Sequence, residues 1–201
     1  MTTSYYVQPV VPCPPAEDDA LNAILQQVIV NITGLDGTMV RPRWQVVVPK
    51  QPEPYTNWCA FGVTLLDPDA NPVLNHLGSG NNGDGQDQLI RHEELTILAS
   101  FYGPQGMQNA SQFRDGLYVG YNLEVLESSL MGMVRAGNIT ATPEFINEQW
   151  IRRYDIEWML RRQIVRTYNI PNVQSVNAEL YTDPAISGEP IVIVVSNPEP
   201  Q

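Results

Sequence analysis

The sequence predicts an α+β fold, a mostly antiparallel sheet flanked by helices on one face. Six segments are rich in β-branched and aromatic residues, whereas apolar residues recur at helical spacing in two segments. Several strand segments follow one another with turn-like sequence between them, which favours antiparallel pairing over the alternating strands and helices of a parallel sheet. With 201 residues, 43% of them hydrophobic, the chain can bury the core of a single domain, which we place at 17–196.

The N-terminal residues 1–16 are predicted to form an extended, proline-rich arm. Several apolar residues between the prolines suit contact with the surface of a partner. A disordered tail fits the same composition, and the sequence does not separate these two interpretations. The four prolines of the arm are Pro9, Pro12, Pro14 and Pro15.

A first helix is predicted over 17–32. Glu17, Asp18 and Asp19 place negative charge in its first turn, where it interacts favourably with the helix dipole. Gly34 follows as a suitable stop. The apolar residues that recur at helical spacing are Leu21, Ile24, Leu25, Val28 and Ile32.

Two strands are predicted over 41–48 and 58–66, because both segments combine β-branched and aromatic residues between prolines. The segment between them, 49–57, contains three prolines and is predicted to be a loop. Residues 67–87 are interpreted as a turn-rich loop insertion. Their glycine-rich centre, 78–85, contains no core-forming residue, so we expect it to be mobile.

A further strand over 88–103 leads into a long helix over 105–127. The Gly103-Pro104 junction lies where the start of a helix can hold an anion. The junction lacks the glycine spacing of phosphate-binding loops, and proline is common at the start of helices. We therefore interpret it as a corner where a strand gives way to a helix. The predicted buried side of this helix consists of Met107, Ala110, Phe113, Leu117 and Tyr121.

The C-terminal half of the chain supplies the rest of the predicted sheet. Residues 131–143 are predicted to be a connector. The segment 149–169 matches the alternation of a strand over a longer run than it matches a helix, and its aromatic residues also favour a strand. Strands over 173–182 and 190–196, joined by the turn-like DPAISGE, are expected to close the sheet, and 197–201 form a tail.

The sequence predicts no catalytic, cofactor-binding or metal-binding residue. Glu93 and Glu94 are expected to point to opposite faces of a strand, so they cannot readily share one site. His76 and His92 lack the ligand spacing of a zinc site. Gly78-Ser79-Gly80 does not match the motif of a serine nucleophile. An enzyme or small-molecule binder stays an alternative, and its mark would be a pocket lined by converging polar groups.

The net charge of −11 argues against general affinity for DNA or RNA, which requires a positive surface. The N-terminus lacks the basic and apolar regions of a signal peptide, and no apolar run reaches the roughly 20 residues of a membrane span. Cys13 and Cys59 form neither a disulfide framework nor a metal motif. We expect a soluble protein, made in a reducing cytoplasm, that does not contact a membrane.

Five of the eleven basic residues fall within 15 positions of the predicted strand 149–169. Arginine suits interfacial ion pairs better than lysine does, because its guanidinium is planar and weakly hydrated. We interpret the cluster as a candidate subunit interface that pairs with acidic groups of a neighbouring subunit. Two alternatives are an arginine row that faces passing DNA and a charged edge strand that prevents aggregation. The five residues are Arg152, Arg153, Arg161, Arg162 and Arg166.

Four blocks of the sequence together resemble the neck or tail-terminator proteins of tailed bacteriophages. Their order and spacing carry the resemblance, and no block is a catalytic signature. The insertion 67–87 departs from the pattern of that family. The four blocks are WCAFGV (58–63), HEELTILASFYGPQG (92–106), FRDGLYVGYN (113–122) and INEQWIRRYDIEWMLRRQIVRTY (146–168).

The resemblance implies a structural virion protein with an α+β fold and no enzymatic activity, assembled in the host cytoplasm. Such proteins form a ring, typically a hexamer, at the head-proximal end of the tail. The ring ends polymerisation of the tail tube and joins the tail, with its sheath where one is present, to the connector of the neck. Genomic DNA passes through the lumen of the ring. The alternative is another structural part of the virion, such as a minor tail or baseplate protein.

Overall fold

The computed structural model describes residues 6–10, 16–47, 49–146, 148–173, 175–180 and 191–196. This part of the chain contains three α-helices, ten strands and several short 3-10 turns. The helices are α1 (Asp18–Thr33), α2 (Gly106–Gly116) and α3 (Glu124–Glu127). The strands are β1 (Val40–Pro42), β2 (Trp58–Pro68), β3 (Val73–Leu77), β4 (Gln86–Tyr102), β5 (Met131–Ala141), β6 (Glu144–Ile146), β7 (Gln149–Ile151), β8 (Arg153–Tyr168), β9 (Ser175–Leu180) and β10 (Ile191–Ser196).

The main sheet has the strand order β1-β2-β4-β8-β5, and β3 also pairs with β4. All pairings in this sheet are antiparallel except that of β1 with β2. The helices pack on one face of the sheet and form the core with it. The predicted α+β fold with a mostly antiparallel sheet is therefore confirmed. No helix in the described part of the chain is long and apolar enough to cross a membrane.

The core is organised by the long pairing of β4 with β8. Along β4, Leu95, Ile97 and Ala99 are buried, whereas Thr96 and Leu98 between them are partly exposed on the other face. This alternation follows from the two-residue period of a strand. The largest fully buried side chains come from both strands, from β2 and from the helices: Leu25, Ile29, Phe61, Leu95, Ile97, Phe101, Phe113, Leu117, Leu126, Ile156, Trp158 and Leu160.

The strand predicted over 41–48 is mostly wrong. Only Val40–Pro42 form a strand, β1, and the chain bends from Arg43 onward. Trp44 has a φ of 58°, which lies in the left-handed region and is incompatible with a strand. Pro42 still pairs with Phe61, and Arg43 N donates to the carbonyl oxygen of Phe61 at 2.7 Å, so the strand ends where the backbone turns at Trp44.

The predicted loop insertion 67–87 contains a strand, β3, whereas the mobility expected for 78–85 stays a prediction. β3 continues the line of β2 along β4, with Val73 opposite Ile90 and Leu77 opposite Gln86. The turn residues that suggested a loop are concentrated at the break between β2 and β3 and in residues 78–85, which join β3 to β4. We call residues 78–85 the ribbon tip.

The predicted connector 131–143 is wrong, because Met131–Ala141 form the strand β5 beside β8. Two irregularities interrupt the pairing, between Met133 and Arg135 and between Ala136 and Ile139. Gly137 lies at the second of them, and a Cβ atom there would stand 2.8 Å from the carbonyl oxygen of Glu157. Such bulges break the alternation of apolar residues by which a strand is recognised in sequence.

The long helix predicted over 105–127 is split into α2, a 3-10 turn and α3. Ala110, Phe113 and Leu117 are buried as predicted, but Met107 and Tyr121 are 60% and 80% exposed. The helix α2 also approaches α1 closely, since a Cβ atom at Gly116 would stand 2.4 Å from the Ile32 side chain.

The strand predicted over 149–169 is present, with an interruption at Arg152 between β7 and β8. Strands are also present near 173–182 and 190–196, but β9 and β10 pair with each other in a separate sheet and do not close the main one. The connecting DPAISGE lies outside the described residues.

The described part of the N-terminal arm, 6–10, lies beside the end of β8. Val10 N donates to the carbonyl oxygen of Thr167 at 2.8 Å, and Pro9 forms an isolated bridge with Tyr168. Residues 1–5 and 11–15 of the arm and the predicted tail 197–201 lie outside the described residues.

Phe113→Ala is expected to lower the free energy of unfolding by about 3–5 kcal/mol, because it leaves a cavity in a packed core. The Phe113 ring packs edge-on against Trp158 at 5.3 Å and against Phe101 at 5.6 Å between centroids. Urea unfolding measures the change. Met107→Ala, an exposed position on the same helix, is the matched control. Equal stability of the two variants would contradict the assignment of the buried face.

Candidate subunit interface

The arginine cluster lies on and immediately before β8, which is an interior strand. β4 pairs with one side of β8 from Arg153 to Tyr168, and β5 pairs with the other from Tyr154 to Arg162. The alternative of a charged edge strand is therefore wrong. The five arginines are distributed over both faces of the sheet, and their surroundings differ.

Arg162 lies on the helix side of the sheet and is almost fully buried. Only 3% of Arg162 and 4% of Glu93 are exposed, and the two residues are direct cross-strand neighbours. Nε of Arg162 donates to Glu93 Oε1 at 2.7 Å, and Nη2 lies 2.6 Å from the same oxygen. Arg162 Nη1 donates to the carbonyl oxygen of Ala16 at 2.7 Å, just before α1 begins. The pair thus joins β4, β8 and the start of the first helix.

Arg166 reinforces the same junction. Its Nη2 donates to Glu17 Oε1 at 2.7 Å, and Arg162 Nη2 lies 3.9 Å from that oxygen. Glu17 is the residue immediately before α1. The acidic start of the helix, which was predicted to interact with the helix dipole, therefore also binds two arginines of the sheet.

Arg153 belongs to a polar network on the face of the sheet opposite the helices. Its Nε donates to Asp155 Oδ1 at 2.8 Å, its Nη1 donates to Glu144, and its guanidinium lies 5.8 Å from the centroid of the Tyr102 ring. Burial alone opposes the charge, but the hydrogen bonds to Asp155 and Glu144 raise the pKa of Arg153 above its ordinary value. Arg153 therefore forms its ion pairs with carboxylates of its own chain.

Asp155 is the centre of the network. It accepts hydrogen bonds from Arg153, from the buried Ser100 and, at 3.0 Å, from Thr142, and Arg43 in turn donates to Ser100. Burial alone would raise the pKa of Asp155, but these hydrogen bonds outweigh it and lower the pKa. The carboxylate therefore stays charged and holds β4, β5 and β8 together at this end of the sheet.

Next to this network the same face forms a cleft of about 650 Å³. Its walls carry mostly small, polar and charged side chains. The residues lining its floor include Thr96, Leu98, Asp155, Glu157 and Met159.

Arg161 faces the same side and is half exposed. It forms an ion pair with Asp69, in the break between β2 and β3. An exposed pair of this kind contributes little to stability. Four of the five arginines therefore form ion pairs inside the described part of the chain.

Arg152 differs from the other four. It lies between β7 and β8, is exposed, and forms no ion pair with any described residue. It lines a shallow groove of about 540 Å³ together with Tyr55 and Trp150. The prediction that the cluster contacts a neighbouring subunit stays a prediction, and Arg152 is the member best placed for it.

The groove is bordered by the glycine-rich corner between β4 and α2. Gly103 has a φ of 96°, and a Cβ atom there would stand 2.5 Å from the carbonyl oxygen of Thr56, so the corner requires glycine. Asn57 Oδ1 accepts a hydrogen bond from the backbone N–H of Gln105 at 2.9 Å, and the two side chains bond at 2.8 Å. These contacts within the chain explain why the Gly103-Pro104 junction is a structural corner, at which β4 ends and α2 begins.

At the opposite end of the sheet, His76 and Asn172 fasten the ribbon tip to the chain that follows β8. Asn172 Nδ2 donates to the carbonyl oxygens of Gly78 at 2.9 Å and Gly83 at 2.8 Å, which fixes its Oδ1 as an acceptor. His76 Nε2 lies 2.8 Å from that oxygen, and Nδ1 lies 2.6 Å from Asp87 Oδ1. Both ring nitrogens of His76 face hydrogen-bond acceptors. Only the protonated imidazolium donates from both nitrogens, so the charged form fits this site best.

The hydrogen bonds to Asp87 and then to Asn172 raise the pKa of His76. No sequence pattern indicates this contact, because Asn172 lies 96 residues from His76 and belongs to no motif. We call the contacts of His76 and Asn172 the tip clamp.

Glu93→Gln is expected to lower the free energy of unfolding by about 3–5 kcal/mol, because it leaves the buried charge of Arg162 without its partner. Urea unfolding at neutral pH measures the change. Asp69→Asn, which removes the partner of the half-exposed Arg161, is the matched control and should cost at most about 1 kcal/mol. A Glu93→Gln variant as stable as the control would contradict the role of the buried pair.

His76→Gln is expected to lose more stability in acid than in mildly alkaline solution. The pKa of His76 is raised in the folded chain, so its contribution is fully present below the ordinary value of about 6.5 and disappears as the pH rises through the raised pKa. Urea unfolding of both proteins at about pH 5.5 and about pH 8.5 measures the difference. His92 is present in both the wild type and the variant, so it does not contribute to the difference in stability between them. A difference that does not change with pH would contradict a charged His76 in the tip clamp.

Comparison with known proteins gives one finding. The family model of the phage neck terminator protein matches residues 19–184 of the chain. No curated protein matches the chain. The matched range begins in α1 and extends over the whole main sheet and β9.

Proposed function

The chain belongs to the phage neck terminator protein family, a family of structural virion proteins, and on that premise we propose that it forms a closed ring at the head-proximal end of the phage tail. The ring ends polymerisation of the tail tube and joins the tail to the connector of the neck. We expect a ring of about six subunits, because the tail-terminator proteins that the sequence resembles typically form hexamers. The partners are further copies of the chain, the tail tube, the sheath where one is present, and the connector.

The observation that carries this proposal is the family match over residues 19–184 of 201. It covers the elements that make the fold: the three helices, the six strands of the main sheet and the polar network on the face opposite the helices. The earlier resemblance over four separate blocks led to the same family from the residues alone.

The surface of the chain also suits an assembly. Helices cover one face of the sheet, and the other carries a broad polar cleft. Contiguous exposed apolar surface often marks contacts with other proteins, and the exposed Phe145 and Trp150 adjoin each other with ring centroids 5.1 Å apart. Other large exposed apolar side chains include Trp44, Tyr55, Leu74, Tyr118 and Tyr121.

The net charge of −11 supports a lumen through which DNA passes without being held. A wall rich in lysine and arginine would bind the phosphate backbone and slow its passage. Four of the five clustered arginines are already paired with carboxylates of their own chain, so they add little positive charge to the surface. We place the assembled protein in the virion neck and its assembly in the host cytoplasm.

Electron microscopy of tails made with and without the protein tests this function. In cells infected by a phage that lacks the gene, we expect overlong tail tubes that are not joined to heads. Supplying the chain from a plasmid should restore tails of uniform length that carry heads. Tails of normal length joined to heads in the absence of the protein would contradict the proposal.

Antibody labelling of the same virions locates the protein and separates the proposal from its alternative. Label at the junction of head and tail is expected for a terminator. Label at the distal end would instead identify a baseplate or minor tail protein.

A further inference from the structure

The main sheet has an open strand edge on each side. β1 pairs with β2 only as far as Phe61, and beyond it no described strand lies along the outer side of β2. On the other side, β5 pairs with β8 alone. The backbone N–H of Ala136 donates to the Tyr118 hydroxyl at 3.4 Å, and the described residues make no such contact with the stretch of β5 before it. We call residues 63–68 the β2 edge and residues 131–135 the β5 edge.

Both edges are exposed. Leu65 and Leu66 of the β2 edge are 57% and 51% exposed, and Val134 of the β5 edge is 43% exposed. Asp67 and Arg135 are exposed as well. An open edge presents unpaired backbone N–H and C=O groups, and exposed apolar residues along it favour pairing with a strand of another chain.

The β2 edge carries an excess of negative charge. Asp67 lies directly opposite Glu94 of β4, and like charges in that position destabilise a sheet. Arg161, the neighbour of Glu94 on its other side, forms its ion pair with Asp69. Asp67 and Glu94 form no ion pair within the part of the chain that the structure describes. A cation supplied by another molecule would therefore stabilise this edge.

The β5 edge carries the opposite charge. Arg135 is the single charged residue among 131–135. It forms no ion pair with a described residue, and its Nε donates to the sulfur of Met159 at 2.9 Å. A thioether is a weak acceptor, so the exposed guanidinium keeps donors for a carboxylate.

The register of the sheet places the two edges at the same level. Leu66, Leu95, Leu160 and Met133 are successive cross-strand neighbours from β2 to β5. β2 and β5 also run in opposite directions, because three antiparallel pairings separate them. A second copy can therefore continue the sheet at either edge without breaking its antiparallel alternation.

We propose that the β2 edge of one copy pairs antiparallel with the β5 edge of a second copy, which continues the sheet from subunit to subunit. In the level register, Leu66 lies opposite Met133, and Asp67 lies opposite Gly132, where a Cβ atom would meet nothing within 4 Å. Arg135 is level with Leu65 and so lies diagonal to Asp67 on the same face, within reach of a long side chain.

Each edge also contains a bulge, after Val63 and after Met133. Bulges bend a strand and limit how far an edge can pair. The pairing therefore uses the regular stretches 65–68 and 131–133 and adds the ion pair of Arg135 with Asp67. Charge complementarity and the shared level select a second copy of the chain as the occupant of each edge.

Such a contact is heterologous, because two different edges of the subunit meet. Heterologous contacts form closed rings when the rotation between copies closes. The inference rests on the proposed function, and it assigns the two strand edges through which neighbouring subunits of the ring bind each other. Strand addition of this kind obtains affinity from main-chain hydrogen bonds and specificity from the side chains beside them.

A disulfide between copies tests the register, in the full-length chain carrying Leu66→Cys and Met133→Cys. Within one copy these positions are three strand spacings apart, about 14 Å, which is too far for a disulfide. Directly opposite residues of paired strands are close enough for one. We expect non-reducing gels to show a ladder of multiples of the 22.5 kDa chain, for the free protein or for protein added to tail tubes.

The matched control carries Leu66→Cys and Thr140→Cys. Thr140 is exposed on the same strand but lies about 20 Å further along it, so the control should give no ladder. Circular dichroism and thermal melting check that both variants keep the fold.

A charge exchange tests the ion pair. Arg135→Asp and Asp67→Arg are each expected to lower the fraction of chain in rings roughly tenfold or more, because each places like charges across the contact. Both substitutions in one chain should restore the rings, because the opposite charges then meet again. Arg114→Asp, at an exposed arginine of α2, is the control and should form rings as the wild type does. Native mass and electron microscopy count the rings.

Three results would overturn the pairing: rings in which Leu66→Cys and Met133→Cys do not cross-link, a doubly exchanged chain that forms no more rings than the single variants, or a wild-type chain that stays monomeric even on tail tubes. The first two leave the terminator function intact, since that function is judged separately from tail length and head attachment. Normal joined tails made without the gene would overturn the function but not the contact between copies.

Discussion

The antiparallel pairing of β4 with β8 is the constraint on which the rest of the structure depends. Its register runs without interruption from Asp87 opposite Tyr168 to Tyr102 opposite Arg153. A slip by one residue would exchange the two faces of the sheet, moving the core residues to the polar side. The pairing of Glu93 with Arg162 opposes such a slip, because each buried charge would lose its partner. The same long pairing separates the ribbon tip from the groove lined by Tyr55, Trp150 and Arg152, and so gives the subunit two distinct ends.

The elements with a strong local pattern were predictable, and those interrupted by glycine or governed by distant contacts were not. The helix α1 and the strands β4 and β8 have clear periodicity over more than two turns or several alternations, and β2 has the composition of a strand. β5 was missed because its bulge at Gly137 breaks the alternation, and β3 was missed because turn residues flank its five positions on both sides. The segment 41–48 has the composition of a strand, but the left-handed backbone at Trp44 turns the chain out of the sheet.

The arginine cluster shows the same limit for the candidate site. Its position on a strand and its alternation between two faces were readable from the sequence. Most of its partners were not, because Glu93, Glu17 and Asp69 come from distant positions in the chain and carry no motif. Arginine was a sound indicator of ion pairing, but most of that pairing occurs within the subunit. Arg152 forms no ion pair with a described residue and lies beside the exposed Tyr55 and Trp150. This end of the sheet is therefore a candidate contact with a neighbouring subunit.

The central claim is that copies of this chain form a ring between the tail tube and the connector. A cryo-electron microscopy reconstruction of the neck in intact virions tests it most directly. The account predicts a closed ring of the chain at the head-proximal end of the tail. A reconstruction in which the chain is absent from the neck, or is present there as isolated copies, would contradict it.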